Sequence, residues 1–155
     1  MRFSGFEPYF NADSKILILG SFPSVIARRE GFYYDNKQNR FWKILSEILG
    51  EELPKSNGEK KELLKRHQIA LWDIVDECEI KGSMDSEIKN PKIADISRLL
   101  DAAPIKTIIC NGKTAHSLLL RHFPKYAHMT VYAPSTSPAN PKCDKEQWRK
   151  VLLDG

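Results

Sequence analysis

Lys15-Ile16-Leu17-Ile18-Leu19-Gly20-Ser21-Phe22-Pro23-Ser24 decides the fold, because an unbroken apolar run gives way at once to small and cyclic turn residues. A strand with one wet face alternates apolar and polar side chains. A run from Lys15 to Leu19 that is apolar at consecutive positions instead fits a strand covered on both faces. Three further runs, Ile69 to Trp72, Lys106 to Cys110 and Thr130 to Ala133, read in the same way. Between and after them the spacing predicts helices over Phe41 to Leu49, Glu59 to Arg66, Ile93 to Leu100, Thr114 to His122 and Lys145 to Leu153. Strand and helix alternate. The expectation is an α/β protein, a three-layer α/β/α arrangement with a central four-stranded parallel sheet, in a single domain over residues 1–155.

In an open parallel sheet the ligand site lies at the carboxyl ends of the strands, where loops and helix N-termini gather. Here those ends carry Gly20 to Ser24, Asp73, Asn111-Gly112-Lys113 and Pro134-Ser135-Thr136-Ser137-Pro138. Two loops rich in serine and proline at one edge suit a phosphate backbone, since proline stiffens a loop while hydroxyls and backbone N–H groups approach phosphate oxygens closely. The same residues also serve as plain turn formers.

A second group lies between the first strand and the first helix. Gly31-Phe32-Tyr33-Tyr34 places aromatics beside a polar loop, where a ring could stack a base, and Asn39-Arg40-Phe41-Trp42 opens the helix. Phe41 and Trp42 fit core packing better; Tyr34 is the stronger stacking candidate. Asn39 stands where a helix cap belongs, and capping is a sufficient reason for an asparagine there. Asp73 is read equally well as a base acceptor or as a turn residue.

Other chemistries find little support. The four histidines lack metal-ligand spacing, and Cys78, Cys110 and Cys143 form no Cys-x-x-Cys pair, so neither a metal nor a disulfide framework is expected. Asn111-Gly112-Lys113-Thr114 resembles the tail of a phosphate-binding loop, but Thr107 occupies the position of the earlier glycine. The formal net charge of +4 suits a polyanionic partner, although the basic residues are scattered, with clusters at Arg28-Arg29, Lys60-Lys61 and Lys65-Arg66. No secretory signal or apolar membrane span is evident, and the expectation is a monomer that is cytoplasmic or nucleoid-associated and needs no cofactor.

Taken in order, these segments resemble the uracil-DNA glycosylase superfamily, whose members share a first strand ending in Gly-x-x-Pro-x and a late Pro-Ser-x-x loop set against the DNA backbone. Gly31 to Trp42 is similar to the mismatch-specific branch. Leu71-Trp72-Asp73-Ile74-Val75, Gly82-Ser83-Met84-Asp85 and Pro134 to Ala139 resemble the hypoxanthine-DNA (deoxyinosine) glycosylase branch. Two positions depart from the uracil-specific pattern. Phe22 stands where the uracil- and mismatch-specific branches have an Asp or Asn that positions or activates water, and Ala133 stands where uracil-specific enzymes have His.

The resemblance implies a monofunctional glycosylase acting in base-excision repair on DNA containing deaminated bases. Asn39 would carry the catalytic polar role, and Ser21, Phe22, Tyr34 and Asp73 would hold the flipped base. Pro23, Ser24, Pro134, Ser135, Thr136 and Ser137 would meet the DNA backbone, with Thr136 and Ser137 filling the gap in the stack. Because no lysine occupies a recognisable nucleophile position, an abasic site without strand cleavage is the expected product. The alternatives are a uracil- or mismatch-specific enzyme, a non-catalytic module of the same fold binding single-stranded nucleic acid, and a flavodoxin-like or nucleotide-binding protein using Gly20 to Ser24 as a phosphate cradle.

Overall fold

A computed structural model describes residues 2–22, 31–35, 38–80, 88–138, 140 and 142–154. The predicted loop residues Pro23 and Ser24, the Arg28-Arg29 cluster, Gly82 to Asp85 and Ala139 lie outside the described residues. Along the chain the elements are β1 (Arg2–Ser4), β2 (Ile16–Gly20), α1 (Phe41–Leu49), α2 (Asn57–Arg66), β3 (Ile69–Asp73), β4 (Val75–Ile80) and β5 (Ile88–Ile93). They continue with α3 (Ile96–Ala102), β6 (Thr107–Asn111), α4 (Lys113–His122), a 3-10 turn (Pro124–Met129), β7 (Thr130–Ala133) and α5 (Lys145–Asp154).

The central sheet is four-stranded and parallel throughout, in the order β3-β2-β6-β7. Strand period two sends successive side chains of β2 to opposite faces. Ile18 joins one buried cluster with α1, α2 and α5, including Phe41, Leu45, Leu64 and Trp148. Leu17 and Leu19 join the other, with Ile96 and Leu99 of α3 and Ala115 and Leu119 of α4. The sheet is therefore covered on both sides, and the three-layer α/β/α fold follows from the apolar runs.

Sequence patterning did not reveal a second sheet, antiparallel and three-stranded, in the order β1-β4-β5. Its strands are short or charged, reading Val-Asp-Glu-Cys-Glu-Ile in β4 and Ile-Lys-Asn-Pro-Lys-Ile in β5. Pro91 lies in β5, an edge strand, which is where a sheet tolerates a missing N–H. The helix expected from Ile93 consequently begins at Ile96. Ile93 ends β5, and the Ala94 N–H donates to the Ile74 carbonyl (2.8 Å), holding that segment extended.

The remaining boundaries are close to expectation. Helix α2 starts two residues before Glu59 because Ser56 caps it, its Oγ accepting from the Glu59 N–H (3.1 Å) while Glu59 Oε2 accepts from the Lys55 N–H (3.1 Å). Among the described residues no helix is long and apolar enough to cross a membrane.

Leu17 is fully buried at the centre of one face. Leu17→Ala should lower the unfolding free energy by about 3 kcal/mol, within a range of about 2–5. Urea unfolding measures it; a loss below about 1 kcal/mol would mean that the helices collapse onto the gap.

Candidate active site at the strand ends

The register of β2 on β3 places Gly20 opposite Asp73 at the carboxyl edge of the sheet. Beyond that pair the Gly20 carbonyl accepts from the Ile74 N–H (2.8 Å) and the Ser21 carbonyl from the Val75 N–H (3.0 Å), so the loop after β2 is tied to the start of β4. A Cβ on Gly20 would stand 2.5 Å from Asp73 Oδ1 and 2.7 Å from the Tyr34 hydroxyl, which shows how closely both side chains press on this backbone. Asp73 is only 4% exposed. The structure thus brings Gly20, Tyr34 and Asp73 together.

Tyr34 adopts φ 58°, a left-handed conformation unusual for a bulky side chain. Its surroundings over-determine it. The ring stacks on Phe41 with centroids 4.2 Å apart, the neighbouring Tyr33 carbonyl accepts from Trp42 Nε1 (2.9 Å), and Asp35 pairs with Lys60, whose ammonium lies over the Trp42 ring. Burial pushes the Tyr33 phenol above its ordinary range, so it stays neutral and donates to the Glu7 carbonyl (2.8 Å). Phe22 is placed differently from Tyr34. It is half-buried and packs with the cluster on the other face of the sheet, near Gly5.

Asn39 sits just before α1, half-buried, and its Oδ1 accepts from the Phe41 N–H (2.9 Å). The capping role is therefore real. It also fixes the amide's orientation, since a backbone donor requires the oxygen, which leaves Nδ2 as the end directed elsewhere.

The loop after β7 is held from within. The Pro134 carbonyl accepts from Trp148 Nε1 (2.8 Å), that of Ser135 from Asn140 Nδ2 (3.0 Å), that of Thr136 from the Arg40 N–H (3.1 Å), and that of Ser137 from Arg40 Nη2 (3.0 Å). Four successive carbonyls are thus occupied by protein donors. Asn111 grips Thr136 twice, Nδ2 donating to Oγ1 and Oδ1 accepting from the backbone N–H, both at 3.0 Å. Thr136 is 1% exposed, so its side chain serves this framework and, as placed, does not project as a wedge. Ser137 is half-buried at the same turn. Gly112, at φ 99°, leaves room for the loop, for a Cβ there would lie 3.2 Å from Ser135 Cβ.

Sequence reasoning passed over Arg40, Lys60, Asn111, Asn140 and Trp148, whose contribution runs through backbone carbonyls, the N–H and hydroxyl of Thr136, and one ion pair. The only signals were the position of Arg40 inside Asn-Arg-Phe-Trp and of Asn111 at a strand end. Cysteine chemistry is not supported at this edge: burial pushes the Cys110 thiol up to about 12, and it also raises that of Cys143. No cluster of potential metal ligands occurs among the described residues.

A sheet edge of this design defines a class, and comparison with known proteins gives it a family. The Uracil DNA glycosylase superfamily profile matches residues 7–154, and the chain belongs to that superfamily. A protein named Hypoxanthine DNA glycosylase from Methanosarcina barkeri is 39% identical over 115 residues, 73% of either chain. One of the same name from Methanosarcina acetivorans is 36% identical over 155 residues, 96% of either chain. The fold is shared with a solution NMR structure from Methanosarcina acetivorans, provisionally described as a uracil DNA glycosylase. The TM-score is 0.85 at 32% identity, covering 99% of this chain and 98% of that one.

Gly20→Ala should destabilise the protein by about 1–3 kcal/mol, because the added methyl must displace Asp73 or Tyr34. Gly58→Ala is the matched control. Its Cβ would meet only Ser56 Oγ at 3.8 Å, and it should be neutral or stabilising by up to about 1 kcal/mol. Equal thermal shifts for the two variants would contradict the tight packing at Gly20.

Proposed function

We propose that the protein is a base-excision repair glycosylase that flips hypoxanthine out of DNA and hydrolyses its N-glycosidic bond, leaving an abasic site. One observation carries this reading: the Asn39-Arg40 segment is hydrogen-bonded to the Pro134-to-Ser137 loop at the same edge that brings Gly20, Tyr34 and Asp73 together. Family membership and the names of the relatives at 36–39% identity support it.

The chemistry of each part fits. Inward-turned carbonyls remove their negative ends from the loop surface, so a phosphate can approach N–H groups and hydroxyls without repulsion. Deamination of adenine replaces an exocyclic amine with a carbonyl and puts a proton on the adjacent ring nitrogen. An amide N–H₂ such as Asn39 Nδ2 suits that carbonyl, or the oxygen of a water; the Asp73 carboxylate suits the ring N–H. Bond breaking gives the sugar oxocarbenium character, which nearby phosphates and fixed dipoles stabilise.

Incubation with duplexes containing hypoxanthine, uracil or ethenoadenine tests the assignment. Hypoxanthine should be released fastest, with strand breaks appearing only after alkali. Release of uracil alone would move the protein to another branch, and spontaneous strand breaks would defeat the hydrolytic mechanism.

Asn39→Asp separates capping from catalysis. Aspartate caps about as well as asparagine but has no N–H₂ to donate. Stability should stay within about 0.5 kcal/mol while single-turnover excision falls about a hundredfold or more. Asn39→Ala should lose the same activity and about 1 kcal/mol of stability. Normal excision by Asn39→Asp would remove the donor role.

A further inference from the structure

An arginine beside a DNA-facing loop is ordinarily read as a phosphate ligand. Arg40 is not disposed that way. Its backbone N–H donates to the Thr136 carbonyl (3.1 Å), and its Nη2 donates to the carbonyls of Ser137 (3.0 Å) and Asn140. Arg40 is also the residue at the head of α1, yet its side chain makes no capping bond; Asn39 supplies that through the Phe41 N–H. Asn140 completes the arrangement by donating from Nδ2 to the Ser135 carbonyl and from its N–H to the Ser137 carbonyl (2.9 Å).

We infer that Arg40 is a positioning residue: its guanidinium locks the Pro134-to-Ser137 loop to the segment bearing Asn39, so the part that holds the DNA backbone and the part that acts on the base move as one body. Its guanidinium is engaged by the carbonyls of Ser137 and Asn140 within the protein. This rests on the glycosylase reading: the kinetic arm on excision and the salt arm on DNA binding alone.

The test compares Arg40→Met, which loses charge and donors, with Arg40→Gln, which loses the charge but keeps amide donors. Binding of each to a duplex holding a stable abasic-site analogue is measured across a salt series, and single-turnover excision is measured on a hypoxanthine duplex. A positioning role leaves the slope of log K against log salt unchanged in both variants, lowers excision about tenfold or more in Arg40→Met, and restores most of it in Arg40→Gln. A phosphate ligand would instead reduce the slope by about 0.9 in both variants and treat Met and Gln alike, and either result overturns the inference.

Should Arg40→Met not fold, the salt slope and rate of Arg40→Gln still decide. In an Asn39→Asp background, Arg40→Met should add little further loss, whereas fully additive losses would show that Arg40 does not act through Asn39. A wild-type protein that excises nothing refutes the proposed function, while the salt slopes continue to judge Arg40.

Discussion

Parallel pairing of β2 with β3 and β6 has to be in register before any of the site exists. It sets Gly20 against Asp73 on one side and Leu19 against Cys110 on the other. A slip of one residue would exchange the two faces of β2, sending Ile18 toward α3 and α4 and Leu17 toward α1 and α5, and it would separate Asp73 from the Gly20 backbone. The two apolar clusters therefore fix position as well as stability. Chemistry at the edge depends on packing in the middle.

Above that base, the last loop is organised by side chains reaching its backbone carbonyls, Arg40 from far along the chain and Asn140 and Trp148 from the segment that follows. Arg40, Asn140 and Trp148 each hold a carbonyl of the last loop, and Asn111 holds Thr136 by both its polar atoms. An unpaired buried carbonyl costs free energy, so every such donor stabilises one loop shape over its alternatives. The strained Tyr34 backbone is accommodated in the same way, through the Phe41 stack, the Trp42 indole and the Lys60–Asp35 pair. Rigidity of this kind favours catalysis, because charge develops in front of groups that do not have to reorganise.

The parallel sheet was legible because its strands are apolar on both faces, and a continuous run such as Ile16 to Leu19 has few other interpretations. The antiparallel sheet was not, since Glu77, Glu79 and Pro91 give its strands the appearance of loops. Asn39 was read as both a cap and a candidate site residue, and its geometry is compatible with the two readings: Oδ1 is engaged by the helix and Nδ2 is not required there. Arg40 and Asn111 were harder to read, because a side chain whose partner lies far along the chain, a carbonyl for Arg40 and both polar groups of Thr136 for Asn111, follows no local spacing rule. Thr136, which the resemblance sets against the DNA, turns its hydroxyl inward to Asn111, an orientation that loop composition does not reveal.

The Trp148 indole on the Pro134 carbonyl ties the last loop to α5. Helix α5 also fills the same cluster as α1, with Trp148 edge-on to Phe41. During synthesis the β strands emerge first and can pair as they do so, but the loop that follows β7 lacks one of its fixed donors until residue 148 has left the ribosome. A prematurely released chain that pairs its strands still lacks the Trp148 donor on the Pro134 carbonyl, so the last loop has its full set of fixed partners only with α5 in place.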